Sequence, residues 1–336
     1  MRAQLLRLGG RAAILGVPFL LLIGLYVAAD PFGIVRYHPR LYSDWALQPN
    51  RDFVSTELYL RRPRGAYDSF IFGNSRSLAF LSEDWQRYLP ATARPFHFDA
   101  SGESLFGLWT KVRYIDRRGD TIRNAIFVID SSVLANVQND KLHLFVKDYR
   151  ISGESAVAFH WIAFRAFLSK GYLWRYADYR IFGIIRSSMK ETFDDRVFTH
   201  LPETNDLQFT SAEIAIAKDS ISFYRDSTRF RPHNLAAHDY GAAIGTPQIA
   251  MLRDIRRVLD AHHSDYFFIL SPLSDHRRMS PSDVAALRLI FGAQRVHDFT
   301  GLNALTRDIG HFYEASHFRP PVARAVLSEI YDRRTP

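Results

Sequence analysis

From residue 67 onward, short apolar runs alternate with stretches whose apolar residues recur every three or four positions. "SFIFG" (69–73) is too short for a helix and is bounded by turn formers, so it reads as a buried strand. "SEDWQRYL" (82–89) follows as a short helix with Ser82 as its N-cap. "PFHFDA" (95–100) is a second strand, and the stretch after it sets Leu105, Leu108, Trp109, Val112 and Ile115 on one helical face. "NAIFVID" (124–130) is a third strand, ending in Asp130-Ser131-Ser132. The rhythm returns late in the chain. Thr246-Pro247 opens a helix with Ile249, Leu252, Ile255, Val258 and Leu259 on one face. "DYFFILSP" (265–272) is a fourth strand, and Ser280-Pro281-Ser282-Asp283 starts a helix through Phe291 in the manner of a capping box. "QRVHDFT" (294–300) is a fifth strand and "VARAVLSEIY" (322–331) a closing helix. Strands alternating with helices predict an α/β body, its mostly parallel sheet covered on both faces.

Two stretches break the rhythm. Residues 30–66 show no clean period and read as a linker packed on the body, which spans 67–334. Residues 140–245 read as a helical and irregular insertion forming a cap or the wall of a groove. Its aromatic residues Trp161, Phe164, Phe167, Tyr172 and Trp174 have the spacing of a face packed against the sheet, with stacking on sugar rings as the alternative. Arg165, Lys170, Arg175, Asp178 and Arg180 exclude a transmembrane span over 157–186.

The N-terminus adds a targeting signal. Arg2, Arg7 and Arg11 precede an uncharged apolar run, Ala12–Ala29, that stops at Asp30. A helix of that length covers about 27 Å, near the hydrocarbon thickness of a bilayer, and it tolerates Pro18. The arginine bias predicts that residues 1–11 are cytoplasmic, that 12–29 is an anchor in the cell (inner) membrane, and that the body lies in the periplasm or extracytoplasmic space. Val27-Ala28-Ala29 also fits a signal-peptidase site, the competing reading, and both export the same body.

Of the 336 residues 47% are hydrophobic and 23% charged, the balance of a globular body with a large core. The net charge of +8 comes from basic residues scattered among acids, so the stripe expected of a nucleic-acid binder is missing. There is no cysteine, which excludes disulfides, a thiolate nucleophile and cysteine-ligated zinc.

Ligands of open α/β sheets collect beyond the carboxyl ends of the strands. Gly73-Asn74-Ser75, the "DASGES" loop (99–104) and Asp130-Ser131 fall there, while Glu314-Ala315-Ser316-His317 precedes the closing helix. A nucleophilic serine needs an imidazole to take its proton and a carboxylate to fix that imidazole's tautomer. Ser75, His317 and Glu314 meet that need if the fold joins the two ends of the body. Taken singly, Gly-Asn-Ser is a turn, Gly102 a tight-turn residue and Arg76 a salt-bridge partner. His262-His263 and His276 read as helix-end and loop histidines.

Together, Gly73-Asn74-Ser75-Arg76 after the first strand, Gly102 in a second loop and Glu314-Ala315-Ser316-His317-Phe318-Arg319-Pro320 before the last helix resemble the SGNH/GDSL hydrolase superfamily, in particular its membrane-anchored bacterial envelope members. The resemblance covers roughly 67–135 and 246–334. It implies a three-layer α/β/α, flavodoxin-like fold with Ser75 as nucleophile, His317 as base and then acid, and Glu314 as its orienting partner. It also implies an oxyanion hole made by the backbone N–H groups of Ser75 and Gly102, with Asn136 as candidate third donor and Arg76 as candidate substrate contact. Two departures stand out: Glu314 replaces the usual aspartate, and "DSSVLANVQND" replaces the third-block "G-x-N-D".

The resemblance implies an esterase or O-acyl(acetyl)transferase acting on a cell-envelope or exopolysaccharide glycan through an acyl-serine, with no cofactor or metal. Its partners would be a glycan or acyl-ester substrate, the membrane, and a membrane acyltransferase as donor, with no nucleic acid. The departures motivate one alternative, a non-catalytic envelope binding or assembly protein. The aromatic insertion and the anchor motivate another, a lipid esterase.

Overall fold

The computed structural model describes residues 2–36, 48–189, 193, 197–225, 230 and 239–332, with backbone alone for 2–15 and Lys170. The chain divides into two compact units, Met1–Pro49 with Ser155–Asp195, and Asn50–Glu154 with Arg196–Pro336.

The second unit is built on a parallel sheet of β1 (Ser69–Gly73), β2 (Pro95–Asp99), β3 (Asn124–Ile129), β4 (Asp265–Leu270) and β5 (Val296–Asp298) in the order β2-β1-β3-β4-β5. Both faces are buried, which is why the strands read as continuous apolar runs. Ile71, Ile126, Val128, Phe267 and Ile269 share one cluster with Val322, Val326, Leu327 and Ile330 of the closing helix Pro320–Asp332. On the other face Phe72, Phe127 and Phe268 are register partners and stack in series at 4.8 and 4.6 Å. Phe268 in turn stacks at 4.1 Å on Phe291, which ends the helix Pro281–Phe291. The helices Leu105–Arg118 and Thr246–Ala261 pack on each other. The strand order reverses at β1, so the carboxyl ends of β1 and β3 flank the crevice where such sheets hold ligands.

Several sequence expectations change. Ser82 is not an N-cap: Leu81 holds that position, and the Ser82 N–H and hydroxyl donate to Asp206 at 3.1 and 2.9 Å. Ser280 does not close a capping box either. Its hydroxyl pairs with that of Ser282, while the Asp283 carboxylate accepts the N–H groups of Ala243 and Ile244. Within the expected linker, Arg51–Leu60 is a helix capped by Asn50, and Arg51–Tyr59 are all buried. It lacks an amphipathic period because its charged residues find partners in the interior. Arg51 pairs with Asp99 at 2.6 Å and Asp52 with Lys111 at 2.9 Å.

The stretch 140–245 is not one piece. A hairpin of Thr199–Leu201 and Asp206–Gln208 covers the β2 edge, with the His97 N–H donating to Thr204 O at 2.8 Å. The helices Thr210–Lys218 and Ser220–Arg225 follow it in the second unit.

The helices Ala156–Phe167 and Lys170–Phe182 belong to the first unit with the long helix Arg2–Ala29. There the Phe164 ring meets Phe19 at 5.8 Å and Tyr26 at 5.5 Å, and the Tyr172 and Tyr176 hydroxyls donate to Pro31 O and Ala29 O. The aromatic face expected to pack against the sheet packs instead on the N-terminal segment: Phe164, Phe167 and Tyr172 are buried against Phe19, Tyr26 and Phe32, whereas Trp161 and Trp174 are 48% and 73% exposed. Among the described residues no helix is long and apolar enough to cross a membrane; the apolar run Ala12–Ala29 begins in the part described by backbone alone.

Candidate active site

β1 ends at Gly73, a position where nothing larger fits. A Cβ there would lie 2.6 Å from Val128 O and 2.8 Å from Ser77 Cβ. Asn74 is extended, and its side-chain oxygen caps the next turn by accepting the Arg76 N–H at 3.0 Å. The Ser77 N–H and hydroxyl both donate to Asn74 O, at 2.9 and 2.7 Å. These bonds close a 3₁₀ turn over Ser75–Ala79 whose first residue, half-buried Ser75, stands at the carboxyl end of β1.

The other end of the chain reaches the same place. Phe312–Glu314 and His317–Phe318 form a small antiparallel hairpin just before the closing helix. Within it the Glu314 carboxylate accepts the Ser316 N–H at 2.8 Å and the His317 Nδ1–H. In the neutral imidazole whose proton sits on Nδ1, Nε2 is the acceptor, and it lies 2.7 Å from the Ser75 hydroxyl. Phe209 packs beside the imidazole at 5.5 Å, and the His317 and Glu314 side chains remain 20% and 31% exposed. Both side chains are therefore open to solvent.

Asp130, the residue after β3, braces the turn. It accepts from Asn74 Nδ2 at 2.7 Å, Arg76 Nη1 at 2.5 Å and the Ser132 N–H at 2.7 Å, and caps the short helix Ser131–Ala135. Burial alone would raise its pKa. The Arg76 charge and the hydrogen bonds from Ser132, Asn74 and the Val133 N–H outweigh burial and hold it below the ordinary carboxylate value. Arg76 also donates to Ser316 O at 3.2 Å, so one guanidinium links the turn to the histidine hairpin.

Ala100 N–H donates to Gly73 O at 3.2 Å, so the loops after β1 and β2 leave the sheet side by side. Gly102 in the second loop has φ +55°, a conformation glycine adopts without strain. Among the described residues nothing accepts the backbone N–H of Ser75 or Gly102. The neighbouring Glu103 is fully buried between Lys111 (2.5 Å) and Lys147 (2.8 Å) and accepts the Ser104 N–H, which pins the loop. Asn136 is elsewhere engaged: its exposed amide donates to Ser132 O at 3.2 Å, in its own short helix.

The structure thus brings Ser75, His317 and Glu314 together and ties Arg76 to Asp130. Sequence reasoning missed the bracing role of Asp130 and a second serine–histidine–aspartate series. The hydroxyl of Ser77 meets His97 Nε2 at 2.8 Å, and His97 Nδ1 faces Asp206 at 3.3 Å. All three are buried, so they support the turn and meet no substrate. A histidine inside the apolar run "PFHFDA" was the available signal. Among the described residues no group of three or more His, Cys, Asp or Glu is placed to hold a metal ion. No protein-family model matches the chain, and no curated protein matches it in sequence.

Proposed function

We propose that this protein is a serine acyl-transfer enzyme of the SGNH type, exported and held at the membrane by its N-terminal helix. The observation that carries the reading is the series Ser75 Oγ, His317 Nε2, His317 Nδ1, Glu314, with 2.7 Å between the serine and the imidazole. The strand order, which is that of flavodoxin-like three-layer folds, and the position of Ser75 at the reversal point support it.

In this mechanism His317 Nε2 takes the proton of Ser75 Oγ as that oxygen attacks an ester carbonyl. Glu314 holds the imidazole in the required tautomer and stabilises the imidazolium. The N–H groups of Ser75 and Gly102 hold the oxyanion. Collapse of the tetrahedral intermediate breaks the ester C–O bond, and His317 returns the proton to the leaving alcohol. The acyl-Ser75 is then attacked by water or a sugar hydroxyl, with His317 again accepting the proton; the Ser75 Oγ–acyl C–O bond breaks, the acid or new ester leaves, and His317 returns the proton to Ser75 Oγ. Arg76, already shared between Asp130 and Ser316 O, positions the turn rather than the substrate.

The substrate class we favour is an acetyl or other short acyl ester on an envelope glycan, with a membrane acyltransferase as donor. Support comes from the exporting character of the N-terminus, Arg2, Arg7 and Arg11 ahead of the apolar run Ala12–Ala29. A panel of acetylated sugars and long-chain acyl esters tests this, using the full chain and Ser75→Ala. Turnover of the short esters that Ser75→Ala abolishes supports the reading. Preference for the long-chain esters would point to a lipid esterase, and inactivity on all of them to a binding protein.

A further inference from the structure

We infer that the helix Ala156–Phe167 is seated in the lipid bilayer beside the N-terminal helix, so that the insertion is a second membrane element. The inference rests on the anchor reading of Ala12–Ala29 and goes beyond it. Phe164 lies between Phe19 and Tyr26, at 5.8 and 5.5 Å from their rings, and Tyr26 also meets Phe167 at 5.7 Å. Phe19 and Tyr26 lie ten and three residues before Ala29, or about 15 and 5 Å along the helix axis. Phe164, set between those two residues, therefore lies between the interfacial depth at Tyr26 and the middle of the bilayer at Phe19.

Its outward surface suits that environment. Val157 is 79% and Trp161 48% exposed, and on the N-terminal helix Leu20, Leu21 and Leu25 are 65%, 68% and 50% exposed. Between the two helices runs a groove of about 470 Å³ lined by Ile23, Val27, Val35, Ala156, Val157 and Trp161 among others, wide enough for an acyl chain. The next helix, Lys170–Phe182, continues the surface with Trp174 and Ile181, 73% and 72% exposed. The charges that exclude a full span fit an interfacial position. Arg165 and Arg180 are exposed, and their stems let the guanidinium groups reach anionic headgroups.

The chain contains no cysteine, so single labels can be placed without removing any. Leu20→Cys, Val157→Cys and Leu289→Cys are each made in the full chain and labelled with a solvent-sensitive fluorophore. They are then reconstituted in vesicles of phosphatidylcholine with a minority of phosphatidylglycerol, with and without doxyl-labelled lipid. Leu289, 82% exposed on the second unit, is the aqueous control. The expected result is that the Val157 label shifts to the blue and loses most of its emission to doxyl lipid, while the Leu289 label does neither. A Val157 label that stays water-exposed and unquenched overturns the inference. The Leu20 label decides the anchor separately: quenching there without quenching at Val157 keeps the anchor and rejects the second element.

Discussion

Arg76 Nη1 donates to Asp130 Oδ2 at 2.5 Å, joining the serine turn after β1 to the end of β3. Asn74 shares the same carboxylate oxygen, so one buried acid fixes both neighbours of Ser75. Asp130→Ala strips partners from a buried amide and from a guanidinium that keeps 20% of its side chain exposed. The expected loss is about 2–4 kcal/mol, at the lower side of what breaking a buried pair costs. Urea unfolding measures it. Because the folded pKa of Asp130 is lowered, this stabilisation is complete above the ordinary carboxylate range and is lost only as pH falls through the lower folded value.

Gly73→Ala and Gly102→Ala should separate two kinds of glycine. At Gly73 the new methyl meets a strand carbonyl, Val128 O, at 2.6 Å, and that oxygen cannot move without disturbing the sheet. At Gly102 it meets the Phe145 ring at 2.9 Å, a side chain able to turn, although φ +55° adds strain. Gly73→Ala is expected to cost about 1–3 kcal/mol as overpacking does, and to displace the nucleophile. Gly102→Ala should cost about 1–2 kcal/mol through φ alone and slow acyl transfer through the oxyanion loop. Thermal unfolding and steady-state rates on the same ester check both.

Glu314→Gln keeps the size of the side chain but no longer supplies a negative acceptor to His317 Nδ1. The rate should fall by up to about 10⁴-fold, because the amide favours the wrong imidazole tautomer, and His317→Ala, which removes the imidazole, should cost about 10²–10⁴. The double variant should be no slower than His317→Ala, because the carboxylate acts only through the imidazole.

His200 gives a pH signature away from the site. Its burial and the Arg51 charge lower its pKa to about 4, and its Nε2 meets Asn205 Oδ1 at 3.0 Å. The unfolded chain takes up that proton near pH 6.5 and the folded chain only near 4. The stabilisation is therefore full above about pH 6.5 and declines as pH falls toward 4. Urea midpoints at pH 7.5 and 5 should differ less in His200→Gln than in the parent.

The five sheet strands were legible because strands buried on both faces are written as short apolar runs, as in "SFIFG" and "DYFFIL". The Ser75, His317 and Glu314 positions were legible as motifs at strand and helix ends. What escaped had its partners far away in sequence. Arg51–Leu60 is a helix without a period because Asp99 and Lys111 neutralise its charges in the interior. Asp206 reaches Ser82 and His97 from a hairpin more than a hundred residues downstream, so no local pattern announces it. The split of 140–245 between two units depends on packing against the N-terminal helix, which periodicity does not encode.

The central claim is that Ser75 is a nucleophile activated by His317. Its most direct test is labelling of the full chain with a fluorophosphonate, followed by peptide mapping. One covalent adduct is expected on Ser75, absent in Ser75→Ala and formed roughly 10²-fold or more slowly in His317→Ala. A correctly folded chain with no adduct, or with a Ser75 adduct formed equally fast without His317, would contradict it.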